Sequence, residues 1–248
     1  MKRAAVFSLI MVFMLIGTAY AVEVELFKET FTRGTGEPVN EVRAFDINGI
    51  AGPAILKVFN GCNDDAFEKV SSSVIKVNGN IVADASNFNQ NVSSFEKEIM
   101  LNDGYNTVEV LLKSKPGGSI KVQIVKNVEA DAATVISKEG GLLEIKDPVT
   151  NKSIVNVEIP DGTFANNTIL TINQIGQYPE QGTGLVIGPV YDISLSGEQQ
   201  FNHKISICFS YESIPLTEEE ENGLVLYYFD DQLGEWISIP SSLNKTLK

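Results

Sequence analysis

Short runs in which every second residue is apolar, cut about every 8–12 residues by chain-reversing pairs, constrain this sequence more than any other feature. Ser73-Val74-Ile75-Lys76-Val77 is followed by Asn78-Gly79, the strongest short hairpin signal, because both central residues of such a turn need positive φ. Ala54 to Phe59 reads as a strand stopped by Asn60-Gly61, and Ile81 to Ala83 leads away from the Asn78-Gly79 turn. Phe95 to Leu101 and Asn106 to Leu112 flank Asp103-Gly104. Lys115-Pro116-Gly117-Gly118 then turns the chain into Ser119 to Val125. Residues two apart share a sheet face, so each run has one face to bury. Many such runs in succession predict an all-β fold, here two β-sandwich-like domains.

The character of the chain shifts at Asn127 to Ala133, NVEADAA, which is small, acidic and poor in strand formers. We read it as a linker, with a short helix as the alternative, between a sandwich module over 22–126 and a second β domain over 134–248. In the second domain Leu142 to Ile145, Ile154 to Ile159, Thr168 to Ile172, Val190 to Leu195 and Lys204 to Tyr211 are predicted strands, and 177–189 a long loop. Ile205, Ile207, Phe209 and Tyr211 share one face of their strand, which leaves Cys208 on the more polar one. Glu218 to Glu221 could make one helical turn with a solvated face. A hairpin closes the chain around Asp230 to Gly234. Its first arm, Leu224 to Phe229, has no polar side, so cover on both faces is expected. Trp236, the single tryptophan, is then most simply part of that packing; the alternative is an exposed ligand platform shared with Tyr227.

Lys2 and Arg3, the apolar run Ala4 to Ile16 and the Ala19-Tyr20-Ala21 motif have the form of a secretory leader over 1–21, cleaved before Val22. An uncleaved anchor is the alternative. Export to the periplasm, cell surface or medium follows. The formal charge is -13, and two of the 19 basic residues belong to the leader. Such a surface disfavours nucleic acid and anionic membranes. Cys62 and Cys208 could pair in an exported protein only if their Cα atoms came within ~7 Å.

Searches for catalytic motifs return little. HExxH, GxSxG and the phosphate-binding GxxxxGK[ST] loop are absent, and the glycines at 182, 184 and 188 lack dinucleotide-loop spacing. His203 stands alone beside Asn202 and Lys204, and reads as a strand-edge residue. Among 32 acids no spacing singles out a hydrolytic pair, which leaves a carboxylate-dependent hydrolase as the weakest reading. No cofactor is expected. Calcium is the one metal with a candidate loop: Asn60, Asn63, Asp64 and Asp65 crowd oxygen atoms into a few residues, although such residues also populate turns for conformational reasons.

Two resemblances attach to particular stretches. Gly140-Gly141, Val157 to Phe164, Thr168 to Ile172, Tyr191-Asp192, Phe201, Ile205 to Tyr211, Leu226 to Asp230 and Gly234 to Trp236 together resemble a bacterial ZU5-like domain from Thr134 to the end. That family is all-β and serves as a protein-interaction module, in netrin receptors and ankyrins among others. Some relatives self-cleave at a His-Phe-Ser triplet, which this sequence lacks. The pattern usually continues into one more strand, so the resemblance implies a final strand missing at Lys248, a shortened form or a fragment. Ser71 to Val92 and Leu101 to Ile124 resemble a β-sandwich module of secreted bacterial proteins. The combined expectation is an exported, non-catalytic module binding protein or polysaccharide. A calcium-assisted carbohydrate-binding module is the alternative. An open sandwich edge would also admit a partner's strand.

Overall fold

The computed structural model describes residues 21–62, 68–176, 188–197 and 200–245. The leader before Ala21, the candidate ligands Asn63, Asp64 and Asp65, and most of the long loop over 177–189 lie outside the described residues.

Strands β1 (Ala21–Thr32), β2 (Asn40–Ile47), β3 (Gly52–Asn60), β4 (Ser73–Val77), β5 (Asn80–Ala83), β6 (Ser94–Leu101), β7 (Gly104–Leu112) and β8 (Ser119–Glu129) build the first half. They form two antiparallel sheets, in the orders β1-β8-β3-β6 and β2-β7-β4-β5. Period two does the sorting: Ala54, Leu56 and Val58 point inward from β3, as do Ile75 and Val77 from β4 and Ile120, Val122 and Ile124 from β8. The β4–β5 turn is built as its sequence demands, with Asn78 at φ 50° and Gly79 at φ 78°. Asn78 also accepts from the Thr107 N–H at 2.9 Å and donates to Asn106 at 2.8 Å, which fastens the turn to β7.

Neither β1 nor β2 was picked out by alternation. In β1 the register slips between Glu25 and Phe27, so Leu26 and Phe27 are buried in succession and the period breaks. In β2 the pattern is inverted: Val42 is 50% exposed, while Arg43 turns towards the Phe31 ring at 5.5 Å. Inward charge on an edge strand hides the usual signal.

The second half contains β9 (Ala132–Ile136), β10 (Gly141–Lys146), β11 (Ser153–Ile159), β12 (Thr168–Ile175), β13 (Val190–Leu195), β14 (Ser206–Phe209), a short helix α1 (Glu218–Asn222), β15 (Leu226–Asp230) and β16 (Glu235–Ile239). Its sheets run β10-β11-β14, β13-β12-β9 and the two-stranded β15-β16. Leu143, Val155, Val157, Phe164, Leu170 and Ile172 share its core. The molecule is thus nearly all β, as expected. No described helix is long and apolar enough to cross a membrane.

The expected linker is not a loose connection. Asn127 to Glu129 belong to β8, Ala132 and Ala133 open β9, and only Ala130-Asp131 remain between the strands. Composition misled because β9 is short and lies within a wall shared by both cores. Ala133 and Val135 pack on the first core and Ala132 and Ile136 on the second; across the same sheet Ile169 enters the first core, Leu170 and Ile172 the second. A seam of hydrogen bonds accompanies the wall. The Asn48 N–H donates to Asn167 O at 2.9 Å, and Ser196 Oγ donates to Asn48 O at 2.7 Å. Gly49 and Gly197 meet there so closely that a Cβ on Gly49 would lie 2.1 Å from the Gly197 nitrogen.

Candidate functional site

The C-terminal hairpin exposes two aromatic side chains of the second half, Tyr227 and Tyr228, while Phe201 and Phe209 are exposed outside it. Asp230 shapes its turn: the side chain accepts from the Gln232 and Leu233 N–H groups at 2.9 and 3.0 Å, and Gly234 closes it at φ 68°. Phe229 then lies opposite Trp236 and Tyr227 opposite Ser238 on one face; Tyr228 opposite Ile237 and Leu226 opposite Ile239 occupy the other. Phe229 and Trp236 meet edge to face, centroids 5.4 Å apart, an arrangement worth ~0.5–1.5 kcal/mol beyond burial. Trp236 is half-buried, whereas Tyr227 is 47% and Tyr228 46% exposed. The expected cover on both faces is therefore only partial among the described residues: Leu226, Phe229, Trp236 and Ile237 are half-buried, and β15 pairs there only with β16. The two candidate platform residues, Trp236 and Tyr227, do share a face.

Below the hairpin, Thr217 and Glu220 cap α1 reciprocally. Glu221, expected on a solvated face, is buried instead and accepts from Tyr211 Oη at 3.0 Å, with Lys245 Nζ at 3.7 Å. The adjacent edge strand β14 leaves Ile207 and Phe209 36% exposed.

The calcium candidate divides. Asn60 ends β3 on its inward face and is 2% exposed. Its amide nitrogen donates to Val70, Asn89 and Val92 carbonyls at 3.0, 3.3 and 3.1 Å, and its oxygen accepts from the Val70 N–H at 2.7 Å. That side chain works as a structural clamp between the end of β3 and the segments around Val70, Asn89 and Val92. Among the described residues no three His, Cys, Asp or Glu side chains gather as a metal site. Cys62, at φ 64°, and Cys208 are not joined in a disulfide. His203 is exposed at the surface over Gly162. Asp84, Glu144, Asp147 and Glu220 are all held below the ordinary carboxyl range, by Ser86, Lys146, Thr150 and Thr217 respectively, the direction opposite to that of a general acid.

One feature escaped sequence reasoning altogether. The loop between β1 and β2 borders an open hollow of about 230 Å³. Arg33 forms part of its wall and is only 8% exposed. Its Nη atoms donate to Gly34 O and, at 2.6 Å, to Gly36 O, while Nε is buried with no acceptor. The available signal was an arginine followed by glycines at 34 and 36 in a strand-to-strand loop, too common to single out.

No family model and no curated protein matches the chain. Among solved structures, a GH2 beta-galacturonidase from Eisenbergiella tayi, bound to glycerol, aligns over 76% of this chain and 36% of its own, at 12% identity and a TM-score of 0.25. This chain thus spans about a third of that enzyme's length, and a TM-score that low carries neither fold nor activity across.

Proposed function

We propose that this protein is an exported, non-catalytic interaction module whose C-terminal hairpin docks a protein partner. The observation that carries this reading is the two-sided exposure of the hairpin: Tyr227 on one face, Tyr228 and Ile239 on the other. A sugar platform needs one flat aromatic face, whereas a groove on a protein can cover two. The ZU5-like pattern of the second half, a protein-interaction family, agrees with it, and the leader-like N-terminus supports export. The acidic surface would steer the module towards basic or neutral partners.

Carbohydrate stacking is the second reading, favoured by Tyr227 and Trp236 sharing a face. If calcium assists it, the ligands must come from groups other than the Asn60 side chain.

Trp236 reports on the site directly. Its emission would be titrated with neutral and acidic polysaccharides, with and without calcium, and a photocrosslinker would be placed at Tyr227 in cells that export the protein. A discrete protein adduct from position 227, not from the more exposed Tyr105, supports docking. Saturable glycan-induced emission changes would replace it with the carbohydrate reading. Neither signal would remove the hairpin as the binding site.

A further inference from the structure

We propose that the hollow beside Arg33 is a binding site for a small carboxylate. It lies in the first half, away from the hairpin in sequence, and does not depend on what the hairpin docks.

Arg33 is rooted before its side chain begins. Its N–H donates to Gly118 O and its carbonyl accepts from the Gly117 N–H, both at 2.8 Å, so the backbone continues the β1–β8 pairing and cannot swing away. The guanidinium is a cation with five N–H donors. Only two of those donors find acceptors, both neutral carbonyls of the same loop. No carboxylate among the described residues pairs with it. A buried cation compensated only by carbonyl dipoles is poorly stabilised. The partner that matches its forked donors is a planar anion.

The surrounding wall narrows the ligand. Thr35 adds a hydroxyl, and Val39 and Leu112 add apolar surface. A volume of 230 Å³ falls below the ordinary range of ligand pockets and equals roughly seven waters, enough for a simple acid or a single sugar acid. Glu37 and Glu41 also border the hollow, and Glu41 is held by Arg43 at 2.9 Å. Glu37 faces the site without a cation among the described residues. Both acids repel an anion, and desolvation grows with the square of the ligand charge while attraction to one guanidinium grows only linearly, which favours carboxylate over doubly charged phosphate.

The sequence contains three arginines, Arg3, Arg33 and Arg43. The Arg33 Nε–H resonance is therefore assignable, and it tests the site without a mutation that could unfold the protein. The full chain would be titrated at low ionic strength with acetate, glucuronate, glucose and inorganic phosphate. The expected result is a saturable shift of the Arg33 Nε–H, not of Arg43, with acetate and glucuronate but not glucose, and weaker binding of phosphate. Glucuronate tighter than acetate would identify a sugar acid as the ligand; equal affinities would identify the bare carboxylate. The Glu37→Gln substitution, at an exposed position, should tighten binding about threefold by removing one like charge. An unmoved Arg33 resonance, glucose binding as well as glucuronate, phosphate binding more tightly, or weaker acetate binding in Glu37→Gln would each overturn the proposal.

Discussion

Asn60 holds three carbonyls and one N–H from segments 10 to 32 residues away, at the point where β3 ends. Alanine there would leave these groups without partners in a dry interior. At ~1 kcal/mol per lost bond, Asn60→Ala should cost ~3–4 kcal/mol in urea unfolding, and added calcium should not restore it. The surface carboxyls make a different prediction. Asp84 and Asp147 are displaced below 3.8, and Glu144 and Glu220 below 4.5. A lowered folded-state pKa stabilises above the unfolded value and is lost as pH falls through the folded one. The melting temperature should therefore be flat above about pH 5 and fall below pH 4, and Asp147→Asn should make that fall shallower. Asn60 has the parity of Leu56 and Val58, but Asn60-Gly61 reads as a turn that stops the strand at Phe59. Which carbonyls would meet it depends on loops far along the chain, and composition pointed to a cation instead.

At the scale of elements, two glycines separate conformational cost from collision. Gly79 has φ 78° and open space where a Cβ would go, so Gly79→Ala should cost only the ~1–2 kcal/mol of left-handed backbone. Gly140 has φ 79°, but its Cβ would meet Ile159 O at 2.3 Å and Pro160 C at 2.7 Å. Gly140→Ala must push β10 and β11 apart and should destabilise at least twice as much, by equilibrium denaturation of the two variants. Strands β3 to β8 and β10 to β14 were legible because turn residues bracket clean alternation. Strands β1 and β2 were not, because a bulge broke one pattern and Arg43 inverted the other. The closing hairpin was legible as a hairpin, and its turn fixes Tyr227 and Trp236 on one face. Its exposure was not legible, since a run apolar on both sides states what it could bury and not whether a neighbour is there.

At the scale of the whole molecule, the two cores are joined through one sheet. Trp236 reports only on the second half, whereas circular dichroism reports on all strands. The wild type should show coincident thermal transitions by both probes. Gly49→Ala forces backbone apart at the seam and should separate them, with the fluorescence transition moving to lower temperature. Coincident, unshifted transitions in Gly49→Ala would mean that the close approach of Gly49 and Gly197 contributes nothing to the coupling of the two halves. The sequence hinted at two units but not at their shared wall, because a strand with opposite faces in different cores has the same composition as one with both faces in a single core.

Strand β12 alternates its allegiance residue by residue, with Ile169 facing one core and Leu170 the other. A single-residue insertion or deletion within it would exchange the two sets of side chains at once, so this short stretch should tolerate substitution far better than a change of length. It also means that the molecule has no clean place to be divided. If the second half keeps β9 and β12, Ala133, Val135 and Ile169 lose the first core; if the first half keeps them, Ala132, Ile136, Leu170 and Ile172 lose the second, and either strip would meet water as a sticky surface. Halves of this protein are more apt to seek each other, or themselves, than to stand alone.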